Sequence, residues 1–224
     1  MMNSSQIPFT RVNRSIDEAE GYYSRLSVIY DWLAGSEKKF VRKGIELLKP
    51  REGEKILEIG FGTGYAQLQI GPAVGKGFSA GLDLSIGMGR IAQQLLRKAG
   101  LGDRIGLVRS NTLPIPFQAG IFDGLFFSFT LELFDTPLIP EVLKECRRVL
   151  KPDGKLVVVS LSKDDPLPWM GRIYERLHNR YPRLLDCRPI PVIQLIQQGH
   201  FTVNQTRKTS MWGLPVIVLQ ATCS

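Results

Sequence analysis

The chain has 224 residues, 43% hydrophobic and 22% charged, a balance that suits one soluble globular domain, or a domain with a small appendage. No uncharged apolar run is long enough to span a bilayer and no signal-peptide core opens the sequence, so a cytoplasmic location is expected. Cys146, Cys187 and Cys223 are isolated, and His178 and His200 are the only histidines, which excludes a disulfide framework and a metal centre as starting points.

The net charge is +8, yet the cations are scattered. Small clusters at Lys38, Lys39, Arg42 and Lys43 and at Arg172, Arg176, Arg180 and Arg183 fall on predicted helices, where a solvated face is the plain expectation. No recognition motif accompanies them, so nucleic acid is disfavoured as a partner. Peripheral contact with an anionic membrane is the more plausible use of the charge, and the oligomeric state is left open.

Residues 1 to 14 carry no strong pattern and read as a loose arm. Ser15 to Glu18 has the form of a capping box, followed by Ile16, Ala19, Tyr23, Leu26, Tyr30 and Leu33 at helical spacing. This first helix is expected to end near Gly35, and a second to start at Ser36 and stop at Pro50. Together, residues 1–50 form a predicted N-terminal arm and helical cap ahead of a main domain over 51–224.

From Glu54 onward strands and helices alternate, which predicts an α/β fold, a doubly wound, mostly parallel sheet of about seven strands with an antiparallel C-terminal strand. Strands are expected at 55–59, 78–84, 104–109, 121–129 and 155–160, the last entered through a Pro152-Asp153-Gly154 turn. Trp169, Met170, Ile173, Tyr174 and Leu177 suggest a helical insertion over about 164–188. A helix ending at Gly199 and two strands, 201–209 and 215–222, close the chain as a hairpin.

The first strand, Lys55 to Ile59, runs into Gly60, Gly62 and Gly64 and then into helix formers. Strand, glycine turn and helix start together make a place for a nucleotide-like ligand, because glycine admits positive φ and close approach of a ligand to the backbone. The dinucleotide pattern Gly-x-Gly-x-x-Gly is not met, since its third position is Tyr65 or Gln67 depending on the frame. Asp83 at the end of the second strand can accept both hydroxyl hydrogen bonds of a ribose.

The run Glu58-x-Gly60-x-Gly62-x-Gly64, with Asp83-Leu84-Ser85, Ser110 to Phe117, Phe122 to Glu132 and Glu145 to Gly154, resembles the class I S-adenosylmethionine (SAM)-dependent methyltransferases of type 11. These segments cover roughly residues 54 to 160. The overall layout is similar to the quinone- and phospholipid-type small-molecule enzymes of that family. The resemblance implies a Rossmann-like sheet, SAM as cofactor with S-adenosylhomocysteine as product, and a small-molecule methyl acceptor, here expected to be lipophilic. It implies cofactor-binding roles for Glu58, Gly60, Phe61, Gly62, Gly64, Asp83, Leu84, Met88, Asn111, Thr112, Leu113, Ser128 and Phe129. Asn111 stands where the family often has Asp, and Phe61 is larger than its usual counterpart, which is expected to narrow that end of the pocket. A histidine, His200, is inserted where many relatives have Gly-Phe and is taken as tail structure.

Methyl transfer from a sulfonium depends chiefly on in-line positioning, an effect on the order of 7–11 kcal/mol, and needs no metal. Candidates at the acceptor end are Tyr22 and Tyr30 on the cap and Glu132 after the fourth strand, with Tyr23 and Asp135 beside them. Tyr23 and Tyr30 also sit on the helix's apolar stripe, where packing is at least as good an explanation, and Glu132 has an exposed loop acid as its bland alternative. Trp169-Met170 and Trp212 complete an expected apolar pocket. Asp123 reads as a residue ordering a strand start, and the Arg147 to Pro152 corner as architecture. The other functional readings are a SAM-binding protein without catalysis, serving regulation or assembly, and, more distantly, an NAD-dependent reductase.

Overall fold

The structure is a computed structural model that describes residues 27–165, 171, 174 and 187–224, with side chains from Gly35 onward. The capping box at Ser15, Tyr22, Tyr23, most of the expected insertion and its arginine cluster lie outside the described residues.

Helix α1 spans Ser27–Leu48. It runs unbroken through Gly35 and Ser36, where the sequence suggested a boundary between two helices. A glycine inside a helix costs only about 1 kcal/mol, and burial of Phe40, Leu47 and Leu48 outweighs it at roughly 1.5–3 kcal/mol each. Gly44 lets the helix lie close on the sheet: a Cβ there would come within 2.7 Å of both the Phe126 ring and Val159.

Strand β1 (Lys55–Ile59) is followed by α2 (Gln67–Val74), β2 (Phe78–Asp83), α3 (Ile86–Lys98) and β3 (Ile105–Arg109). Then come β4 (Phe122–Ser128), two short 3-10 turns, α4 (Ile139–Val149) and β5 (Leu150–Leu161). Helix α5 (Val192–Gln198) leads into the hairpin β6 (Phe201–Met211) and β7 (Leu214–Cys223). The sheet order is β3-β2-β1-β4-β5-β7-β6, with β1 to β5 parallel and β7 antiparallel to both its neighbours. The predicted doubly wound sheet with an antiparallel C-terminal strand is therefore present.

The expected turn at Pro152–Gly154 is instead an excursion inside β5. Leu150 already pairs with Phe122, and the register then jumps so that Lys155 meets Gly124. Alternation along β1 sets the two faces: Leu57 and Ile59 join α4 and α5 in one core, while Ile56 joins Phe40, Leu48, Ile70 and Val74 of α1 and α2 in the other. Glu58 shares the second face with Ile56, which places a carboxyl inside an apolar layer. The β1–β4 crossover puts neighbouring strand ends on opposite windings, and the opening for a ligand in such sheets lies outside their carboxyl ends there.

Candidate active site at the carboxyl ends of β1 to β4

The glycine turn after β1 takes positive φ at Gly60 (75°), Gly62 (49°) and Gly64 (81°). Gly60 N–H bonds Leu82 O at 2.7 Å, which ties the turn to β2. Around Gly62 a Cβ would meet nothing within 4 Å, so the turn presents open space at its middle residue. The Phe61 ring lies against Gly81 of β2, a position where any side chain would collide with it.

Asp83 closes the turn from β2. One carboxylate oxygen accepts from Gly62 N–H at 2.8 Å and the other from Ser85 N–H at 2.9 Å. Burial raises the Asp83 pKa, opposed by the amides of Ser85, Gly62 and Leu84. The helix cap is not Asp83 but Ser85, whose hydroxyl accepts from Met88 N–H at 3.2 Å. Met88 is buried beneath this start of α3, and Leu84 is exposed.

The third wall follows β3. Ser110 N–H bonds Asp83 O at 3.1 Å, and the Asn111 side-chain oxygen accepts from Leu113 N–H at 3.3 Å. Thr112 is buried with φ 71°. The loop beyond is clamped by Arg148, which donates to Ile115 O and Phe117 O at 2.8 Å each while pairing with Glu145. The corner read as architecture thus holds the 115–117 segment that follows the Asn111–Leu113 loop.

The fourth wall is the tip of β4. Thr130 Oγ1 donates within reach of Gly60 O at 3.3 Å and Ser128 O at 3.0 Å, joining this tip to the glycine turn. Phe129, at φ 51°, meets Phe40 of α1 edge to face at 6.1 Å. Glu132 is not an exposed loop acid. It is fully buried, with Oε1 accepting from Leu161 N–H at 3.1 Å and Oε2 lacking a hydrogen-bond partner among the described residues. Burial pushes its pKa up to about 7, against the pull of Leu161 N–H, the Ser160 hydroxyl and the Arg188 guanidinium. Arg188, itself buried, bonds Phe134 O, Thr136 Oγ1 and Glu132 O.

Glu58 has a different setting. It receives Gln67 Nε2 at 2.8 Å, the same amide nitrogen reaches Ala80 O at 3.1 Å, and Ser79 donates to the Gln67 oxygen. Burial raises its pKa to about 8, with the Gln67 bond opposing and Asp83 reinforcing. Its side-chain partner is the Gln67 carboxamide. Tyr30 lies in α1, its side chain outside the described ones. Asp123 fulfils its reading, accepting from Lys55 N–H and Lys151 Nζ at the far end of β4. Among the described residues no group of three or more His, Cys, Asp and Glu is arranged for a metal.

Four strand tips thus gather an open glycine cradle, the Asp83 carboxylate bonded to the Gly62 and Ser85 amides and a buried acid. The sequence also matches known proteins. A family described as a methyltransferase domain matches residues 56–154. A demethylmenaquinone methyltransferase of Porphyromonas gingivalis is 30% identical over 162 residues, 71% of this chain and 64% of that enzyme. Over this segment the chain is similar to the class I SAM-dependent methyltransferases. Solved structures carry the same fold. A SAM-dependent methyltransferase from Aquifex aeolicus superposes with a TM-score of 0.61 at 20% identity, covering 82% of this chain and 89% of that one. The [4+2]-cyclase SpnF reaches 0.72 at 16% identity over 98% and 99%. The match to the P. gingivalis enzyme thus spans a little less than two thirds of that relative's length.

SAM is the cofactor of this methyltransferase family, and the cradle fits it. Gly62 leaves the space a bound nucleoside needs, and Asp83 has lone pairs beyond its two amide bonds. The residues that would hold it are Gly60, Gly62, Gly64, Asp83, Met88, Thr112 and Phe129.

Proposed function

We propose that this chain methylates a small lipophilic acceptor bearing an ionisable hydroxyl, of the quinol or phenol kind. The observation that carries the reading is Glu132: a buried carboxyl at the β4 tip with one oxygen lacking a hydrogen-bond partner among the described residues and a pKa pushed up to about 7. An amine acceptor needs only a free lone pair, whereas a phenol must lose a proton, and a base poised near neutral pH is suited to take it. The aromatic pair Phe40 and Phe129 gives the same end an apolar character. Relatives named for menaquinone and ubiquinone biosynthesis support a quinol ring as the acceptor.

Bound SAM supplies a methyl group made electrophilic by its sulfonium. The protein's part is to hold and to deprotonate. The glycine turn and Asp83 fix the cofactor's ribose end, the 110–113 loop flanks the base end, and Glu132 Oε2 takes the acceptor's hydroxyl proton. Tyr22 and Tyr30 belong to the same proposed acceptor end, as contacts for the ring.

The exposed Lys38, Lys39 and Arg42 on α1 are proposed to rest on an anionic membrane from which a lipophilic acceptor is drawn. Ser36 reaches Met211, which brings this face beside Trp212 at the β6–β7 turn, 41% exposed. No helix among the described residues is long and apolar enough to cross a membrane.

A screen decides the acceptor. Purified protein with SAM and a panel of short-tailed demethylated quinols, phenols, phosphatidylethanolamine, tRNA and protein is followed by mass spectrometry. Methylated quinol or phenol is expected; methylation of tRNA or protein alone defeats the reading. The SpnF likeness shows that this fold hosts other chemistry, so SAM binding without transfer is the second reading. Retention of SAM without formation of S-adenosylhomocysteine for any acceptor would favour it.

A further inference from the structure

A short irregular loop that carries a buried acid needs anchors. Glu132 stands in the segment from Thr130 to Leu138, which folds as two 3-10 turns, Leu131–Leu133 and Thr136–Leu138, joined by Phe134 and Asp135. Such turns are short and weakly bonded, so the buried carbonyls in them need donors from elsewhere. At the near end Thr130 rests on the glycine turn, so closely that a Cβ at Gly60 would collide with it. At the far end the donor is Arg188.

All three guanidinium nitrogens engage this loop. Nε donates to Glu132 O at 3.3 Å, Nη1 to Thr136 Oγ1 at 3.0 Å and Nη2 to Phe134 O at 2.7 Å. Arg188 is buried, and its own segment is fixed to the end of β5. There Ile190 N–H bonds Leu161 O at 3.3 Å and Lys163 N–H bonds Ile190 O at 3.0 Å. Leu161 is also the residue whose N–H holds Glu132 Oε1. The acid is thus held on its main chain by Arg188 and on its side chain by Leu161, and the segments of those two holders are tied to each other.

Loop closure alone does not require an arginine. A guanidinium is a rigid planar fork that reaches several acceptors at once and stays charged when buried. Burying that charge is costly unless opposite charge stands near, and here Asp135 and Glu132 supply it. In return the cation favours the ionised form of Glu132, as do the Leu161 N–H and the Ser160 hydroxyl of β5. Burial opposes them, and so does Glu37 of α1, a half-buried carboxyl three residues before Phe40 that interacts electrostatically with Glu132.

We infer that Arg188 is a positioning residue for methyl transfer: through its three bonds to the 132–136 loop it fixes where Glu132 stands relative to the glycine cradle. This rests on the reading of Glu132 as the base. Arg188 touches neither acceptor nor cofactor in this scheme. It acts through the acid, holding it in place and favouring the ionised form that can accept the acceptor's hydroxyl proton.

The test uses the full chain carrying carboxyl-labelled glutamate, titrated by carbon NMR, with Arg188→Met and Arg188→Lys beside the wild type and Glu132→Gln to identify the Glu132 signal. Loss of the cation in Arg188→Met should raise the Glu132 midpoint by about one pH unit, and Arg188→Lys, which keeps the charge, should bring it back. An unmoved midpoint in Arg188→Met overturns the assignment with no acceptor present, and leaves the role of Glu132 itself to the acceptor screen. With an acceptor in hand, the acid limb of kcat/KM should move up with the NMR midpoint in Arg188→Met. There kcat should fall by about 10–100-fold with the KM for SAM held, the scale of a misplaced reacting group. Combined with Glu132→Gln, Arg188→Met should add little, because the arginine acts through the acid. Losses that simply multiply in the double variant would make Arg188 a purely structural residue and overturn the proposal. If Arg188→Met does not fold, Arg188→Lys carries the test, since an ammonium lacks the fork's reach: a lowered kcat with the limb in place supports the proposal and a wild-type kcat overturns it.

Discussion

Two buried acids, one near the end of β1 and one just past the tip of β4, are solved differently. Glu58 is enclosed in a network in which Gln67 bonds both it and Ala80, and Ser79 bonds Gln67. Glu132 has Leu161 N–H on one oxygen and, among the described residues, no hydrogen-bond partner on the other. Leaving a buried polar atom unpaired costs about 1–3 kcal/mol, so a fold keeps one only where something else uses it. The satisfied acid holds the glycine turn's strand against β2 and α2. The other acid is the one proposed above as the base for the acceptor.

Substitutions can break that contrast, beginning with the largest effect. Glu132→Gln should lower methyl transfer by about 10²–10⁴-fold, while SAM affinity, measured by calorimetry, stays within error of the wild type. Asp83→Ala removes the proposed ribose acceptor and the tie to Gly62 N–H, and should weaken SAM binding by roughly 10–100-fold, the worth of hydrogen bonds to a charged group. Gln67→Leu strands Glu58 and Ser79 and should cost about 1–3 kcal/mol, read as a melting temperature lower by about 2–4 °C for each kcal/mol. Its acid limb of activity should not move, which separates the two acids in one variant.

Stability against pH sharpens the same point. Glu58, Glu132 and Glu37 each hold their proton more tightly in the fold than the ordinary carboxyl pKa of 4.5 would allow, being raised to about 8, 7 and 7. Between 4.5 and those values the unfolded chain binds fewer protons than the folded one, so stability falls as pH rises through that window and levels off above it. A scan of melting temperature from pH 5 to 9 without cofactor should show this decline, and Glu37→Gln should flatten its lower part. The smallest effect concerns the basic face: Lys39→Ala should reduce binding to vesicles containing phosphatidylserine by about fivefold, near 1 kcal/mol, with turnover of a water-soluble acceptor unchanged.

Much of this was legible in the sequence. Gly60, Gly62 and Gly64 with Asp83 are local signals, because a turn and the strand end beside it are fixed by backbone demands that only certain residues meet. The strands of the sheet were equally visible from apolar runs bounded by turns. Tertiary partners were not. Gln67 lies in the first turn of α2 and reads as an ordinary helix residue until β1 and β2 bring Glu58, Ser79 and Ala80 around it. Glu37 reads as one charge among lysines on a solvated face, and the assumed break at Gly35–Ser36 hid the continuous register that turns it toward the sheet. Arg148 looked like a helix-end cation because nothing local shows that its guanidinium meets the 115–117 carbonyls.

The central claim is that Glu132 is the group whose proton state governs the reaction, and the pH dependence of kcat/KM with a quinol acceptor tests it most directly. The wild type should rise with pH through a limb near 7, and Glu132→Gln should retain only a slow rate with that limb gone. A limb of the same position and slope in Glu132→Gln would contradict the account.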